Sequence, residues 1–305
     1  MRMIRLGLCC IFKKEPIRFR RTTAKYMSTH TEGERFQLLS EICMHNAENL
    51  LLALHYCRNN GIGAFRINSQ ILPLKTHPQW GYRVEDLPAG KDIVSRFQDA
   101  GKFSRDNNIR TSFHPDQFIV LSSPRPEVVE SAIRDLVYHA EVAQWVNADV
   151  INVHAGGAYN DKKMALERFT ETFFRLSKSI RKRLTVENDD RLFTPLDLLP
   201  VCRKTGIPLV YDVHHHRCNP DGMSVEKTTG LAMETWNREP LFHVSSPQEG
   251  WEGKNTRKHH DDLDPKDIPA CWRDLDITIE VEAKNKELAV LNLKRDLNLT
   301  EFYQD

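Results

Sequence analysis

The chain has 305 residues, enough to bury a full core as one large α/β domain or as two smaller ones. Its 43 Lys and Arg nearly cancel its 42 Asp and Glu, so no global field drives it onto nucleic acid or membrane. Seven cysteines, an odd number with no CxxC pair, argue for a reducing compartment and against a thiolate zinc site.

No apolar run approaches the roughly 18 residues of a membrane span. The opening "MRMIRLGLCCIF" has too short an apolar part for a signal peptide, and no small-residue cleavage site follows. It reads as a first strand, and the lack of a targeting pattern predicts a cytoplasmic protein. From there, buried-strand runs alternate with helical patterns. The expected strands are 4–9, 63–68, 109–114, 149–154, 184–188, 208–213, 241–245 and 277–283. Between them lie segments with apolar residues three and four apart, such as "RPEVVESAIRDLVYHAEVAQWV", which has Pro126 near its first turn. Eight β-then-α units with no long linker predict one (β/α)8 TIM barrel over 1–305. A doubly wound open sheet is the rival, because counting strands does not prove closure. No glycine-rich dinucleotide or phosphate loop is present; "HAGGAY" lacks the spacing of either.

Barrel enzymes carry their chemistry at the C-terminal ends of the strands. Here the second strand leads into Gln70, the third ends at His114 and the fourth at His154. The fifth ends at Glu187, the sixth at Asp212 and His215, the seventh carries His243 and the eighth Glu282. Each residue has an ordinary structural explanation: a hydrogen-bonded histidine, a cap at Asp189 or Asp190, a Glu282–Lys284 pair. Buried unpaired carboxylates are costly, however, and a shared cation removes several of those costs together. In "IPLVYDVHHHRCNP" Asp212 and His215 are the expected ligands, while His214 and His216 should point elsewhere by strand alternation. Imidazole mixed with carboxylate suits Zn²⁺, Mn²⁺ or Fe²⁺. The number of donors implies two or three ions, with Glu187 bridging, and the matching chemistry is phosphoester hydrolysis or sugar isomerisation.

The strings "FHPDQF", "NVHAGGAY", "TVENDDR", "YDVHHHRCNP", "FHVSS" and "IEVEAKNKE" resemble, in order and at similar spacing over about 4–290, the UV damage endonuclease family. Its wider relatives are endonuclease IV-like and xylose isomerase-like barrels. The resemblance implies a metal-dependent DNA repair endonuclease that nicks 5′ to cyclobutane dimers and 6-4 photoproducts, with abasic sites as a further candidate. It implies Mn²⁺, with Zn²⁺ as the alternative, and damaged double-stranded DNA as the partner. By position in the motifs, the implied metal residues are His114, His154, Glu187, Asp212, His215, His243, His259 and Glu282. Glu187, Asp212, His243 and Glu282 would carry the catalysis. His260 is an alternative to His259, and Asp261 is a candidate to orient one of them. Gln70 stands where some members have a histidine, and is kept as an outer metal-site residue. Leu241 stands where one branch has a modified lysine, and Leu8 where some have an aromatic. Gln117 and Phe118 match the family's damage-probing pair.

Residues 1–35 hold nine Lys and Arg against three acids. With the loop 10–34 on the same face as the metals, Lys13, Lys14, Arg18, Arg20 and Arg21 become candidate phosphate contacts. Trp251 and Lys284 are further candidates for DNA. Two other readings stay open: another metal-dependent barrel, either an AP endonuclease or a sugar isomerase, and a damage-binding protein that has lost catalysis.

Overall fold

The computed structural model describes residues 4–116 and 118–298. Eight parallel strands, β1 (Ile4–Cys9), β2 (Ala64–Ile67), β3 (Arg110–Phe113), β4 (Val150–His154), β5 (Leu184–Glu187), β6 (Leu209–Asp212), β7 (Leu241–Val244) and β8 (Ile277–Val281), follow one another round the sheet. β8 pairs with β1, which closes the barrel and removes the open-sheet alternative. The expected strands are all present, each within two residues of its expected limits.

Alternation along each strand separates two environments. The outward set, including Phe65, Phe113, Val186, Tyr211, Phe242 and Ile279, is fully buried against the surrounding helices. Each such side chain contributes roughly 1.5–3 kcal/mol relative to exposure. Leu8 belongs to this layer and is 0 % exposed. The helices are set by local chemistry. Helix Glu32–Asn59 begins with a Thr31/Glu34 capping box, and helix Pro126–Trp145 has Pro126 in its first turn. Helix Pro195–Thr205 stops at Gly206, whose φ of 75° suits glycine.

The inward set differs from the expectation of apolar strands with polar ends. Among the described residues, Val150, Val210 and Leu241, with Trp236, form a small apolar layer inside the barrel. Below and beside it Arg5 bonds Glu239, Arg110 and Arg238 both bond Asp149, and Thr278 bonds Glu239 and accepts from Arg110. Above it lie Arg66, Ser112, Asn152, Thr185 and Glu280, all buried. Gly7 makes room for Glu280: a Cβ there would lie 3.1 Å from its Cγ and 3.3 Å from Ala64 Cβ.

The segment after β1 is shorter as a loop than expected. It contains a short helix, Ala24–Met27, and the long helix already starts at Glu32. It is pinned from below: Glu287 accepts from the amides of Lys13 and Lys14 at 2.6 Å each, and Asn46 and Asn49 bond the backbone of Arg20 and Arg18. Phe12 and Ile17 are buried beneath it. No helix among the described residues is long and apolar enough to cross a membrane.

Candidate active site

Glu187 ends β5 at the centre of the barrel mouth and is 1 % exposed. Its two oxygens face two sides. Oε2 lies 2.9 Å from His114 Nε2 and 4.0 Å from His154 Nε2, and accepts from Asn152 Nδ2 at 2.5 Å. Oε1 lies 3.3 Å from His215 Nδ1 and 3.1 Å from His243 Nδ1. Thr185 in turn donates to Asn152 Oδ1 at 2.9 Å, which fixes the amide. Glu282 follows β8, with Oε1 3.5 Å from His243 Nδ1 and Oε2 3.7 Å from His259 Nδ1.

Asp212 and His215 meet for a local reason that strand alternation misses. The strand ends at Asp212, and Val213–Cys218 is a helix, not a strand extension. Asp212 caps it: Oδ1 accepts from the His215 amide at 2.7 Å, and Oδ2 stands 3.5 Å from the His215 ring. Asn188 locks the strand end, donating to the Asp212 carbonyl and accepting from its amide. His214 and His216 do point elsewhere, but because of helical geometry. His214 bonds the Ser245 carbonyl, while His216 sits between Tyr211 and Asp221.

Two groups bring donor atoms within 4.8 Å of one another, His114–His154–Glu187 and Glu187–Asp212–His215, with Glu187 common to both. Four polar atoms here are buried without a hydrogen bond: Glu187 Oε1, Asp212 Oδ2, His154 Nδ1 and His243 Nδ1. Such orphans are normally expensive. Three of them cluster: Glu187 Oε1 lies 3.1 Å from His243 Nδ1 and 3.3 Å from His215 Nδ1, which is 3.5 Å from Asp212 Oδ2, and these three are on residues whose other polar atom is bonded to the protein. The donor set, imidazole and carboxylate without thiolate, fits hard or borderline divalent ions.

The charges are strongly shifted. Burial alone would push the Glu187 carboxyl up, but His243, His154 and His114 hold it well below the usual range. Glu282 is likewise held down, against burial, by Arg66 and then His243 and His259. Burial lowers His154, whereas Asp212 and Glu187 raise His215 well above its ordinary value in spite of burial. His243 rises to about 10 against its burial, carried mainly by Glu187.

The remaining residues fall in three groups. His259 faces Glu282, while His260 is exposed and bonds the Asp262 carbonyl; Asp261 is also exposed and its carbonyl accepts from Asn285. Gln70 does not face the carboxylates: it is exposed and donates to Asp116 at 3.0 Å. Leu241 lies in the apolar layer below the site. On the outer face, Phe118 is 76 % exposed, and Lys13, Lys14, Arg20 and Arg21 are exposed. Arg18 differs, with its guanidinium turned onto the carbonyls of Phe12, Glu15 and Ile17. Trp251 is half-buried, donating to Asp267 at 2.7 Å beneath Arg217. Lys284 is exposed and bonds Gln248. Gln117 lies outside the described residues. A cleft of about 460 Å³, lined by His154, Gly156, Asp189 and His215 among others, opens onto the imidazoles.

Arg66, Glu280, Ser112, Asn152 and Asn188 were passed over in the sequence. A charged or amide residue in the middle of an otherwise apolar strand is the signal that marks Arg66, Glu280 and Asn152: "GAFRIN", "ITIEVEA", "DVINVH".

Relatives named UV DNA damage endonuclease cover most of the chain. That of Bacillus velezensis is 35 % identical over 291 residues, 91 % of this chain and 88 % of the relative. That of Bacillus pumilus is 35 % identical over 295 residues, with the same coverage. The crystal structure of SacUVDE superposes with a TM-score of 0.85 at 29 % identity, covering 97 % of this chain and 99 % of that one. Endonuclease IV from Thermus thermophilus, at 14 % identity and a TM-score of 0.59 over 96 % of this chain and 97 % of that one, shares the fold. The family description UV-endonuclease UvdE matches residues 4–304, and the chain belongs to that family.

Proposed function

We propose that the chain is a metal-dependent endonuclease that hydrolyses the phosphodiester immediately 5′ to cyclobutane dimers and 6-4 photoproducts in duplex DNA, leaving a 3′-hydroxyl, and that it also accepts abasic sites. The observation that carries the metal dependence is the convergence of Glu187 Oε1, Asp212 Oδ2 and His243 Nδ1 without hydrogen bonds. His114, His154 and Glu187 would hold one ion, and Glu187, Asp212, His215, His243 and Glu282, with His259 beside them, the rest. Two or three Mn²⁺ ions are the proposed complement. When bound, such ions polarise the phosphoryl oxygens, acidify a water and offset charge on the leaving oxygen.

The chain's own residues do the rest. Asn152, Asn188 and the helix cap hold the carboxylates in place before substrate arrives. The exposed Lys13, Lys14, Arg20 and Arg21 bind backbone phosphates on the rim, and Phe118 offers a bare ring to an unstacked step. Photoproducts weaken stacking, so bending and unpairing the duplex costs less at a lesion than elsewhere. A sugar isomerase would gain nothing from that rim. The test is nicking of three matched duplexes by the Mn²⁺-loaded protein, one carrying a single cyclobutane dimer, one a single abasic site and one intact. One cut 5′ to the dimer, abolished by EDTA, supports the reading; cutting at an abasic site alone moves the substrate to the AP class, and binding without cutting removes the enzymatic reading.

A further inference from the structure

Glu280 lies inside the barrel on β8, is 1 % exposed, and takes no part in the reading above. Its Oε2 is 3.0 Å from His243 Nε2 and 2.5 Å from Arg66 Nε, and its Oε1 accepts from the Ser112 hydroxyl. The other nitrogen of that imidazole, Nδ1, has no hydrogen bond and faces Glu187 Oε1 and Glu282 Oε1. Arg66 Nη2 also lies 2.8 Å from His243 Nε2. A neutral imidazole carries one N–H, so these two neighbours require opposite tautomers. Arg66 only donates; if Nε2 accepted from it, the proton would sit on Nδ1 and block the lone pair. Glu280 only accepts; if Nε2 donates to it, Nδ1 is left free.

Resting on the metal reading above, we propose that Glu280 is a positioning residue: it holds His243 in its Nε2–H tautomer, so that Nδ1 offers its lone pair to a divalent ion shared with Glu187. The surroundings favour this arrangement. Arg66 is shared rather than dedicated to the ring: Glu280 accepts from its Nε and Glu282 from its Nη1 at 2.6 Å, so two carboxylates compete with His243 for its donors. Ser112 fixes the second oxygen of Glu280, and Gly7 leaves the space the side chain fills. A carboxylate behind a ligating histidine both orients the ring and raises its basicity.

The experiment uses the full chain with Glu280→Leu, which removes the acceptor, and Glu280→Gln, which keeps an amide oxygen. Mn²⁺ affinity is read by chelator competition; Glu280→Leu should weaken it by about 10- to 100-fold and Glu280→Gln by less. ¹⁵N-histidine NMR of the Zn²⁺-loaded protein gives a readout that a merely structural role would not move. The parent should show His243 protonated at Nε2, and Glu280→Leu should lose that pattern. The inference is overturned if the parent binds Mn²⁺ and both variants bind it within twofold with the His243 tautomer unchanged. If Glu280→Leu fails to fold, Glu280→Gln decides by the same two readouts. Absence of Mn²⁺ binding in the parent itself would overturn the metal reading too, and is seen without any variant.

Discussion

At the floor of the barrel, Arg5, Arg110 and Arg238 meet Glu239 and Asp149 at 2.9, 2.8 and 3.1 Å, with Thr278 and Trp236 filling the gaps. At the mouth, one strand-length above, carboxylates and imidazoles crowd together just as closely, yet Glu187 Oε1, Asp212 Oδ2 and His243 Nδ1 make no hydrogen bond. Both regions are polar and lie inside the barrel, the floor at the N-terminal ends of the strands and the mouth at their C-terminal ends. The difference teaches that a charged lumen alone says nothing about catalysis. The floor is a closed set of opposite charges, whereas the mouth has an excess of donors for something it does not itself contain.

Substitutions at the two levels should therefore separate activity from stability. Glu187→Gln at the mouth is expected to reduce nicking by about 10³-fold or more, equivalent to about 4 kcal/mol of transition-state stabilisation. It should move the melting temperature of the metal-free chain by no more than about 2 °C, roughly 1 kcal/mol for a chain of this size. A single-turnover nicking assay and calorimetry check both halves. Arg110→Met at the floor should do the opposite. It leaves Asp149 short of one partner and should cost about 2–4 kcal/mol of stability, while nicking well below the melting point stays within twofold. If Arg110→Met abolished nicking in a folded protein, the division between floor and mouth would fail.

Metal should act on one level only. Mn²⁺ at about 100 times its dissociation constant should stabilise the parent by about 2.7 kcal/mol. The same gain should appear in Arg110→Met and be much reduced in Glu187→Gln; equal gains in all three would place the ions elsewhere.

How much of this was legible depends on position along the strands. The eight strands and their order followed from the alternation of buried runs with helical patterns, because the outward faces are largely apolar, whereas closure needed the pairing of β8 with β1. His114, His154, Glu187, Asp212 and His243 could be found because they end strands, where polar residues are conspicuous. Arg66 and Glu280 were not, because a charge inside a buried run can only be placed once its partner on another strand is known. The helix at Val213–Cys218 was hidden for a related reason. Its cap, Asp212, looks from the sequence like the last residue of a strand, so strand alternation was made to account for the turning away of His214 and His216, which the helix produces instead. The rim shows the same limit: nothing in "KKEPIRFRR" distinguishes Arg18, which folds back onto the loop carbonyls, from Arg20, which stays exposed.

Acid should expose the floor. Asp149 and Glu239 are half-buried, which works against their charge, but Arg110 and Arg238 hold the first and Arg5 and Thr278 the second below the usual carboxylate range. A carboxyl depressed in the folded state contributes stability above its unfolded value, near 4, and loses it as pH falls through the folded value. Stability should thus drop below about pH 4, and Asp149→Asn should flatten part of that limb in an acid titration followed by circular dichroism. An unchanged slope would mean the floor pairs do not hold the barrel.

The smallest effects belong to the rim. Lys13→Ala, Lys14→Ala, Arg20→Ala or Arg21→Ala should weaken binding to damaged and intact duplexes alike and reduce the salt slope by about 0.9 per lost phosphate contact. Arg18→Ala should instead loosen the loop. If these changes altered only the rate at saturating DNA, the rim would not be the phosphate-binding surface.

The most direct measurement is anomalous diffraction from a crystal of the Mn²⁺-loaded protein. The account predicts one peak among His114, His154 and Glu187 and another within reach of Glu187 Oε1, Asp212 Oδ2 and His243 Nδ1. A well-ordered map with neither peak, from protein that nicks damaged DNA in Mn²⁺, would contradict it.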